Sequence, residues 1–533
     1  MRQRAPGTGP ALTLAIMAST TTFRSFVGKL LPSSNAPNAA GAPAYALSAQ
    51  HALAQYAATG CFNATYYASA EAQLERVIAL AYSVSPSFLA QTAIFSRERG
   101  AMKDMPALLC AALSVAEPRL CAQIFPRVID DAKMLRNFVQ ILRSGVTGRK
   151  SLGTAPKRLV KAWLEARSDE QLFRASVGQS PSLADVVKMV HPKPATDARR
   201  AFYGYLLDRE HQVEQLPAIV QSYRAFKLGR SSLVPDVPFQ MLSALPLNAE
   251  QWLTIAKNAN WQTTRMNLNT FARHGVFTQR SMTTLLAARL RDKSAILQAR
   301  AFPYQLLAAY RASGADVPSA IREALQDAME ISISNVPTID GKVYVLVDVS
   351  GSMSSPITGH RRGSTTSMRC IDGAALVAAA ILRKNPQAEV IPFEAKVVSG
   401  LRLNPRDSVM TNAEKLAAIG GGGTNCSAPL SYLNAQKATG DLVVFVSDNE
   451  SWVDARRGPT AVMLEWQAFK ARNPEARLAC IDFVPNATTQ AAEGQDILNV
   501  GGFSDAVFDL LASFAKGNMQ AGHWVSEIEK IAI

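Results

Sequence analysis

The sequence predicts two architectures in series: an all-helical module, then an open α/β domain wound on both faces of a parallel sheet. Three observations carry that expectation. From Ala46 to about Val336 the apolar residues recur almost entirely at helical spacing, and strand-like alternation is nearly absent. From Lys342 onward, β-branched apolar runs alternate with helical stretches, the order that gives parallel strands joined by right-handed crossovers. Charge divides at the same point. Residues 341–533 carry 18 Lys and Arg against 19 Asp and Glu, so of the chain's 56 basic and 42 acidic residues the first 340 hold 38 and 23, a net +15. At 533 residues and 48% hydrophobic content, the chain can build more than one core.

Residues 1–44 are expected to be a disordered leader. Arg2 and Arg4 precede a short apolar run, Ala11–Ala18, too brief to span a membrane, and Met17 offers a second start. A stretch rich in Pro, Asn, Ala and Gly follows at Pro32–Pro43.

The helical module is expected over residues 45–338. Its segments run for two to four turns: Glu71–Tyr82, Ser87–Arg99, Pro106–Leu113, Arg119–Ile129, Leu135–Arg143, Lys157–Arg167, Asp197–Leu207, Trp252–Lys257, Met282–Leu290, Pro303–Arg311 and Ser319–Ile333. Short connections between such helices favour antiparallel pairs stacked as a solenoid, and without a strict period its repeats are degenerate.

The α/β domain is expected over residues 339–533. Strands are expected at Ala388–Phe393, Ala476–Phe483 and Ile497–Val500, and along the apolar runs that start at Val343 and Leu442. Helices are expected at Cys370–Lys384, Ala428–Lys437, Met463–Ala471 and Ser504–Phe514. The runs beginning at Val343 and Leu442 are continuous apolar strands that stop at an acid, Asp348 and Asp448. Buried parallel strands deliver side chains to their C-terminal edge in this way, and ligands of open α/β sheets bind at that edge.

Those two acids stand within three short pieces rich in oxygen donors: Asp348-Val349-Ser350-Gly351-Ser352, Gly421-Gly422-Gly423-Thr424, and Ser447-Asp448-Asn449-Glu450. The carboxylates of Asp348 and Asp448 with the hydroxyls of Ser350, Ser352 and Thr424 suit a hard divalent cation, Mg2+ before Ca2+. The glycines allow the tight turn and the close backbone approach that such a site needs. With so few charged ligands the ion would stay electron-poor and could accept a carboxylate or phosphate from a partner. The plainer alternative is a strand-end turn whose hydroxyls cap the next helix.

The three pieces, in this order, resemble the metal-ion-dependent adhesion site of von Willebrand factor A domains, and the resemblance runs from Lys342 to the C-terminus. Further strings lie upstream: Gly60–Tyr67 (GCFNATYY), Arg97–Pro106 (RERGAMKDMP), Val187–Pro194 (VKMVHPKP), and Met266–Asn269 (MNLN) with Ala299–Tyr304 (ARAFPY). Together they resemble the TROVE module of the Ro ribonucleoprotein family, over roughly residues 45–335. Helical module first and A domain last is also that family's order.

The resemblance implies a ring of HEAT-like helical repeats closed by a doubly wound, Rossmann-like A domain. It implies that the central hole takes the single-stranded 3′ end of misfolded noncoding RNA. It also implies that an outer basic face holds a Y RNA, which in bacterial members tethers a 3′-to-5′ exoribonuclease. His191 stands where the family places an RNA-contacting histidine, between Lys188 and Lys193; a helix cap or a core position are the alternatives. Lys157, Arg158 and Lys161 share one helix, Arg149 and Lys150 lie in a Gly-containing turn, and Arg174 is the nearest cation to Ser176–Ser182. These nine residues are the candidate RNA contacts. The family carries a basic run just before the histidine helix; here Ser176–Ser182 is neutral.

Composition agrees with a polyanion partner for the basic module. The six cysteines, at 61, 110, 121, 370, 426 and 480, form no CxxC pair, and the six histidines show no ligand spacing with them. Zinc and a disulfide framework are therefore not expected, which fits a reducing, cytoplasmic setting. No nucleophile–base pair or nucleotide loop stands out. The expectation is a monomeric, non-catalytic RNA-binding protein with no membrane segment. A Mg2+-dependent nuclease and an A-domain scaffold that binds only protein are the alternatives.

Overall fold

The computed structural model describes residues 31–533 except 60–61, 64–67, 179, 300–302, 335, 358–367, 452–457, 485, 503–504 and 518–522. The leader's first 30 residues, most of the Gly60–Tyr67 string and part of Ala299–Tyr304 lie outside the described residues.

Two short strands come first, β1 (Ala36–Pro37) and β2 (Pro43–Ala46). The helical module follows as α1 (Ala49–Thr59), α2 (Ala70–Ser83), α3 (Pro86–Glu98), α4 (Asp104–Ala116), α5 (Pro118–Val128), α6 (Ala132–Ser144), α7 (Thr154–Glu165), α8 (Asp169–Ala175), α9 (Leu183–Val190) and α10 (Asp197–Leu206). It continues through α11 (Ala218–Lys227), α12 (Phe239–Leu242), α13 (Ala249–Asn258), α14 (Trp261–Met266), α15 (Leu268–Arg273), α16 (Arg280–Arg291), α17 (Lys293–Ala299), α18 (Pro303–Ala312) and α19 (Ser319–Ser332). Successive helices pack on one another, and side-chain caps set many of the starts. Asp131 accepts the Met134 N–H ahead of α6, and Ser182 with Asp185 forms a reciprocal capping box ahead of α9.

The C-terminal domain contains β3 (Val343–Asp348), α20 (Cys370–Lys384), β4 (Glu389–Phe393), α21 (Val409–Ala417), α22 (Ala428–Ala435), β5 (Leu442–Ser447), α23 (Ala461–Arg472), β6 (Arg477–Asp482), β7 (Thr488–Thr489), β8 (Ile497–Gly501), α24 (Asp505–Ala515) and α25 (His523–Glu529). Its five-stranded sheet is parallel throughout, in the order β4-β3-β5-β6-β8. The chain winds outward in both directions from β3 and β5, so the topological switch point lies between them. Every residue of β3 and β5 is buried because both sheet faces are covered. Val343, Val345 and Val347 face the cluster that includes α20. Tyr344, Leu346, Val443 and Phe445 face Leu430, Leu433, Trp466 and Phe469 of α22 and α23.

The first of these clusters runs without a break into the core of the helical module. Both ends of that module dock on the α/β domain. At the near end, α1 and α3 meet β8 and α25: His51 Nε2 lies 3.0 Å from Asn499 O, Gln55 Nε2 donates to Asp482 (3.3 Å), and Gln91 Nε2 donates to Glu529 O (2.7 Å). At the far end, Arg311 pairs with Asp372 at 3.0 Å, and Glu330 accepts the Val409 N–H at 2.8 Å. The module therefore leaves the α/β domain and returns to it.

The expected disordered leader does not hold for residues 31–44. The β1–β2 hairpin pairs through Tyr45↔Thr489 with β7, and Tyr45 belongs to the α/β core. A hairpin of two-residue and four-residue strands is too short for periodicity to reveal, and its third strand lies more than 400 residues away. Among the described residues no helix is long and apolar enough to cross a membrane. The five described cysteines are buried and lie outside any disulfide.

Candidate metal centre and nucleic-acid interface

The expected oxygen donors converge at the switch point. Asp348 ends β3 and Asp448 follows β5, so neighbouring strands bring both to the same edge. One Asp348 oxygen accepts the Ser350 N–H (2.9 Å) and the other accepts the Ser447 hydroxyl (2.6 Å). Ser350 and Ser352 turn their hydroxyls to within 3.3 Å of each other, and Ser352 also hydrogen-bonds Asp448. The glycine loop lies against this turn: Ser350 bridges to Gly421, and Gly351 N–H donates to Gly422 O at 3.1 Å. A β-carbon on Gly351 would come 3.2 Å from Gly421 O, and Gly421 has φ +147°, so close approach and backbone conformation both favour glycine here. Thr424 follows, buried at 1% exposure.

Asp348 and Asp448 are almost fully buried, at 0% and 1% exposure, and no cation pairs with either among the described residues. Burial pushes the Asp348 carboxyl up against the pull of its serine hydrogen bonds. Burial, reinforced by the charge of Asp348, pushes Asp448 well above the carboxylate range. Two buried carboxylates with hydroxyls turned towards them are a donor set that a hard cation would satisfy. Asp348, Ser350, Ser352, Thr424 and Asp448 would hold it.

Three further acids reach this edge: Glu394 and Asp482, outside the three donor pieces, and Glu450, within the third. Glu394 follows β4, and its carboxylate packs over Gly422. Asp482 ends β6, is fully buried, and receives Gln55 and Asn449 amides at 3.3 and 3.2 Å. Burial, then the charges of Asp448 and Glu450, raise it well above the carboxylate range. Glu450 accepts the Ala39 N–H of the β1–β2 hairpin (2.9 Å), and burial raises it to about 7. Glu394 and Asp482 obey the rule that identified Asp348, an apolar run stopping at an acid, but they lack a flanking motif. Even so, among the described residues no three or more His, Cys, Asp and Glu side chains form a metal-holding group.

The candidate RNA residues spread over α7, α8, α9 and the loops that flank them, and α7 and α9 touch. Lys150, Lys157, Arg158, Lys188, His191 and Lys193 are exposed; Arg149 and Lys161 are half-buried. His191 is the C-cap of α9, in the left-handed region at φ 48°. It is thus both a cap and an exposed ring. Arg174, on α8, is held by Glu170 and Asp236 at 3.1 and 2.9 Å. Two arginines outside that set, Arg136 on α6 and Arg167 just beyond α7, line one cavity with Arg174.

Comparison with known proteins agrees with the architecture. Residues 342–515 match the family described as the Ro60 vWA domain. The RNA-binding protein RO60 of Deinococcus radiodurans is 25% identical over 528 aligned residues, covering 90% of this chain and 95% of that protein. The crystal structure of the Deinococcus radiodurans RO (RSR) protein superposes with a TM-score of 0.60 at 19% identity, covering 89% of this chain and all of that one, and so shares the fold. The C-terminal domain is thus a Ro60-type von Willebrand factor A domain, and the chain as a whole is a relative of the Ro proteins.

Proposed function

We propose that this protein binds noncoding RNA without cleaving it, as the RNA-binding component of a Ro–Y RNA particle in the cytoplasm. The helical module, a ring of HEAT-like repeats, admits the single-stranded 3′ end of a misfolded RNA. Its outer basic face, with Lys157, Arg158, Lys188, His191 and Lys193, holds a Y-type RNA, and that RNA tethers a 3′-to-5′ exoribonuclease. The protein acts as a monomer. The A domain holds Mg2+ through Asp348, Ser350, Ser352, Thr424 and Asp448 and presents it to an acidic group of a partner. The observation that carries the reading is the charge division: a net +15 over the first 340 residues against −1 beyond them, in a chain similar end to end to an RNA-binding protein.

The test is a shift assay across a salt series. RNA with a single-stranded 3′ tail should bind better than blunt duplex of equal length. With about five phosphates contacted, raising salt from 50 to 200 mM should weaken binding on the order of a hundredfold. Lys157→Ala with Arg158→Ala should lower the salt slope by roughly one to two. Equal affinity for tailed and blunt RNA would remove the threading part of the proposal.

A second test addresses the nuclease alternative. Two-metal nucleases cluster more carboxylates around their ions than the two among the five proposed ligands. The purified protein is therefore expected to leave a 3′-tailed RNA at full length in Mg2+ or Mn2+. Shortening that disappears with Asp448→Ala would assign it to the enzymes instead.

A further inference from the structure

Beside α6 to α8 lies an open cavity of about 380 Å3, lined by Lys133, Arg136, Trp163, Arg167, Gln171 and Arg174 among others. Its electrostatics are unbalanced. The two acids at its rim are already matched: Asp130 pairs with Arg97 at 2.7 Å, and Asp131 pairs with Lys103 at 2.8 Å while capping α6. Arg174 is held by Glu170 and Asp236. Arg136 and Arg167 have no carboxylate partner among the described residues. Arg136 donates one hydrogen bond, to the Val177 carbonyl; Arg167 donates two, to Trp163 O and Asp130 O, both at 2.9 Å. A guanidinium carries five N–H donors, so most of the donors on this pair stay open. Burial lowers the affinity of both groups for their proton, and the nearby aspartates oppose that only partly. Two partly desolvated cations facing one cavity attract an anion.

The surroundings fix the geometry of the pair. The Arg167 guanidinium stacks on the Trp163 ring, 3.4 Å from its centroid. Arg136 lies over Gly178, where φ is +109° and an added β-carbon would meet its nitrogens at 2.5 Å. The neutral segment Ser176–Ser182 thus receives its positive charge from α6. Trp163 is 5% exposed with a face covered by Arg167, so it offers no platform for a base. The grip is on phosphate oxygens, which planar guanidinium groups bind through paired N–H donors.

We infer that Arg136 and Arg167 form a phosphate pocket for the RNA backbone, a specific anchor within the RNA-binding reading on which this inference rests. In the full-length protein, Arg136→Gln with Arg167→Gln should lower the salt slope for 3′-tailed RNA by about one and weaken binding roughly tenfold at fixed salt. Arg136→Gln alone, which gives up only the Val177 contact, should weaken it about threefold with an unchanged thermal midpoint, which separates lost binding from lost folding. Adenosine 5′-monophosphate serves as the second probe. If wild type binds the RNA and both variants keep its slope and the wild-type response to the monophosphate, the pocket is overturned while the RNA-binding reading stands. If the variants lose the monophosphate but keep the RNA slope, the site belongs to a free phosphate and the backbone assignment is overturned. If wild type does not bind the RNA, both readings fall.

Discussion

Trp524→Ala should destabilise the protein by about 3–5 kcal/mol, the range for deleting a fully buried aromatic side chain. Trp524 is 1% exposed on α25 and meets Phe95 of α3 and His51 of α1 edge-on, with centroids at 6.4 and 6.1 Å. It is the apolar peg of the near seam between the helical module and the A domain. Around it, Gln91 holds the Glu529 and Ile531 carbonyls, and Arg127 holds that of Ala532. Its indole N–H meets no acceptor among the described residues. Trp524→Phe should therefore stay within about 1 kcal/mol of wild type, because the smaller ring gives up contacts but also removes an unsatisfied buried donor. Urea unfolding of the three proteins decides the matter. A loss under about 1 kcal/mol for the alanine variant would mean that the seam does not depend on α25.

How much of this was readable from sequence follows from the range of each interaction. The parallel strands were legible because burial on both faces makes them continuous apolar runs, and α20 was read to its end residues because Cys370–Lys384 keeps its spacing throughout. The mini-sheet β1-β2-β7 was not legible. Its strands are two to four residues long, and its partner is distant in sequence. The nine-residue α21 and the seven-residue α25 are likewise absent from the sequence expectation. At the candidate metal centre, Asp348 and Asp448 were legible because each ends an apolar run beside a motif. Asp482 and Glu394 end such runs without one. At the basic face, Arg174 is a candidate RNA contact by sequence, but Glu170 one turn away and Asp236, 62 residues away, both hold it. Arg136 was overlooked for the converse reason: its importance lies in reaching across to Val177 and Gly178. Local pattern reveals which residues a strand or helix displays; pairing between distant elements decides which of those charges remain available.

Asp348→Asn should abolish the stabilisation that Mg2+ gives the protein and leave its RNA affinity within about twofold, since the proposed sites lie on different domains. An ion at a hundredfold its Kd would stabilise wild type by about 2.7 kcal/mol and the variant by almost nothing. Without the ion the order should reverse. Asparagine keeps an oxygen for the Ser350 N–H, and the Ser447 hydroxyl can rotate to accept from the new amide. The substitution also removes one of two like charges that burial already disfavours. In chelator, then, Asp348→Asn should be at least as stable as wild type. The pH dependence follows from the same carboxyls. Glu450, raised by burial from 4.5 to about 7, and the more deeply buried Asp348 and Asp448 bind protons more tightly folded than unfolded. Their contribution is full below the unfolded values and is lost as pH rises through the folded ones. Chelated wild type should accordingly gain stability as pH falls from about 7 to 5, and saturating Mg2+ should flatten or invert that trend because its ligands must be deprotonated. Superimposable Mg2+ titrations of variant and wild type would refute the metal assignment. A parallel loss of RNA binding would instead show that the A domain and the basic face act as one site.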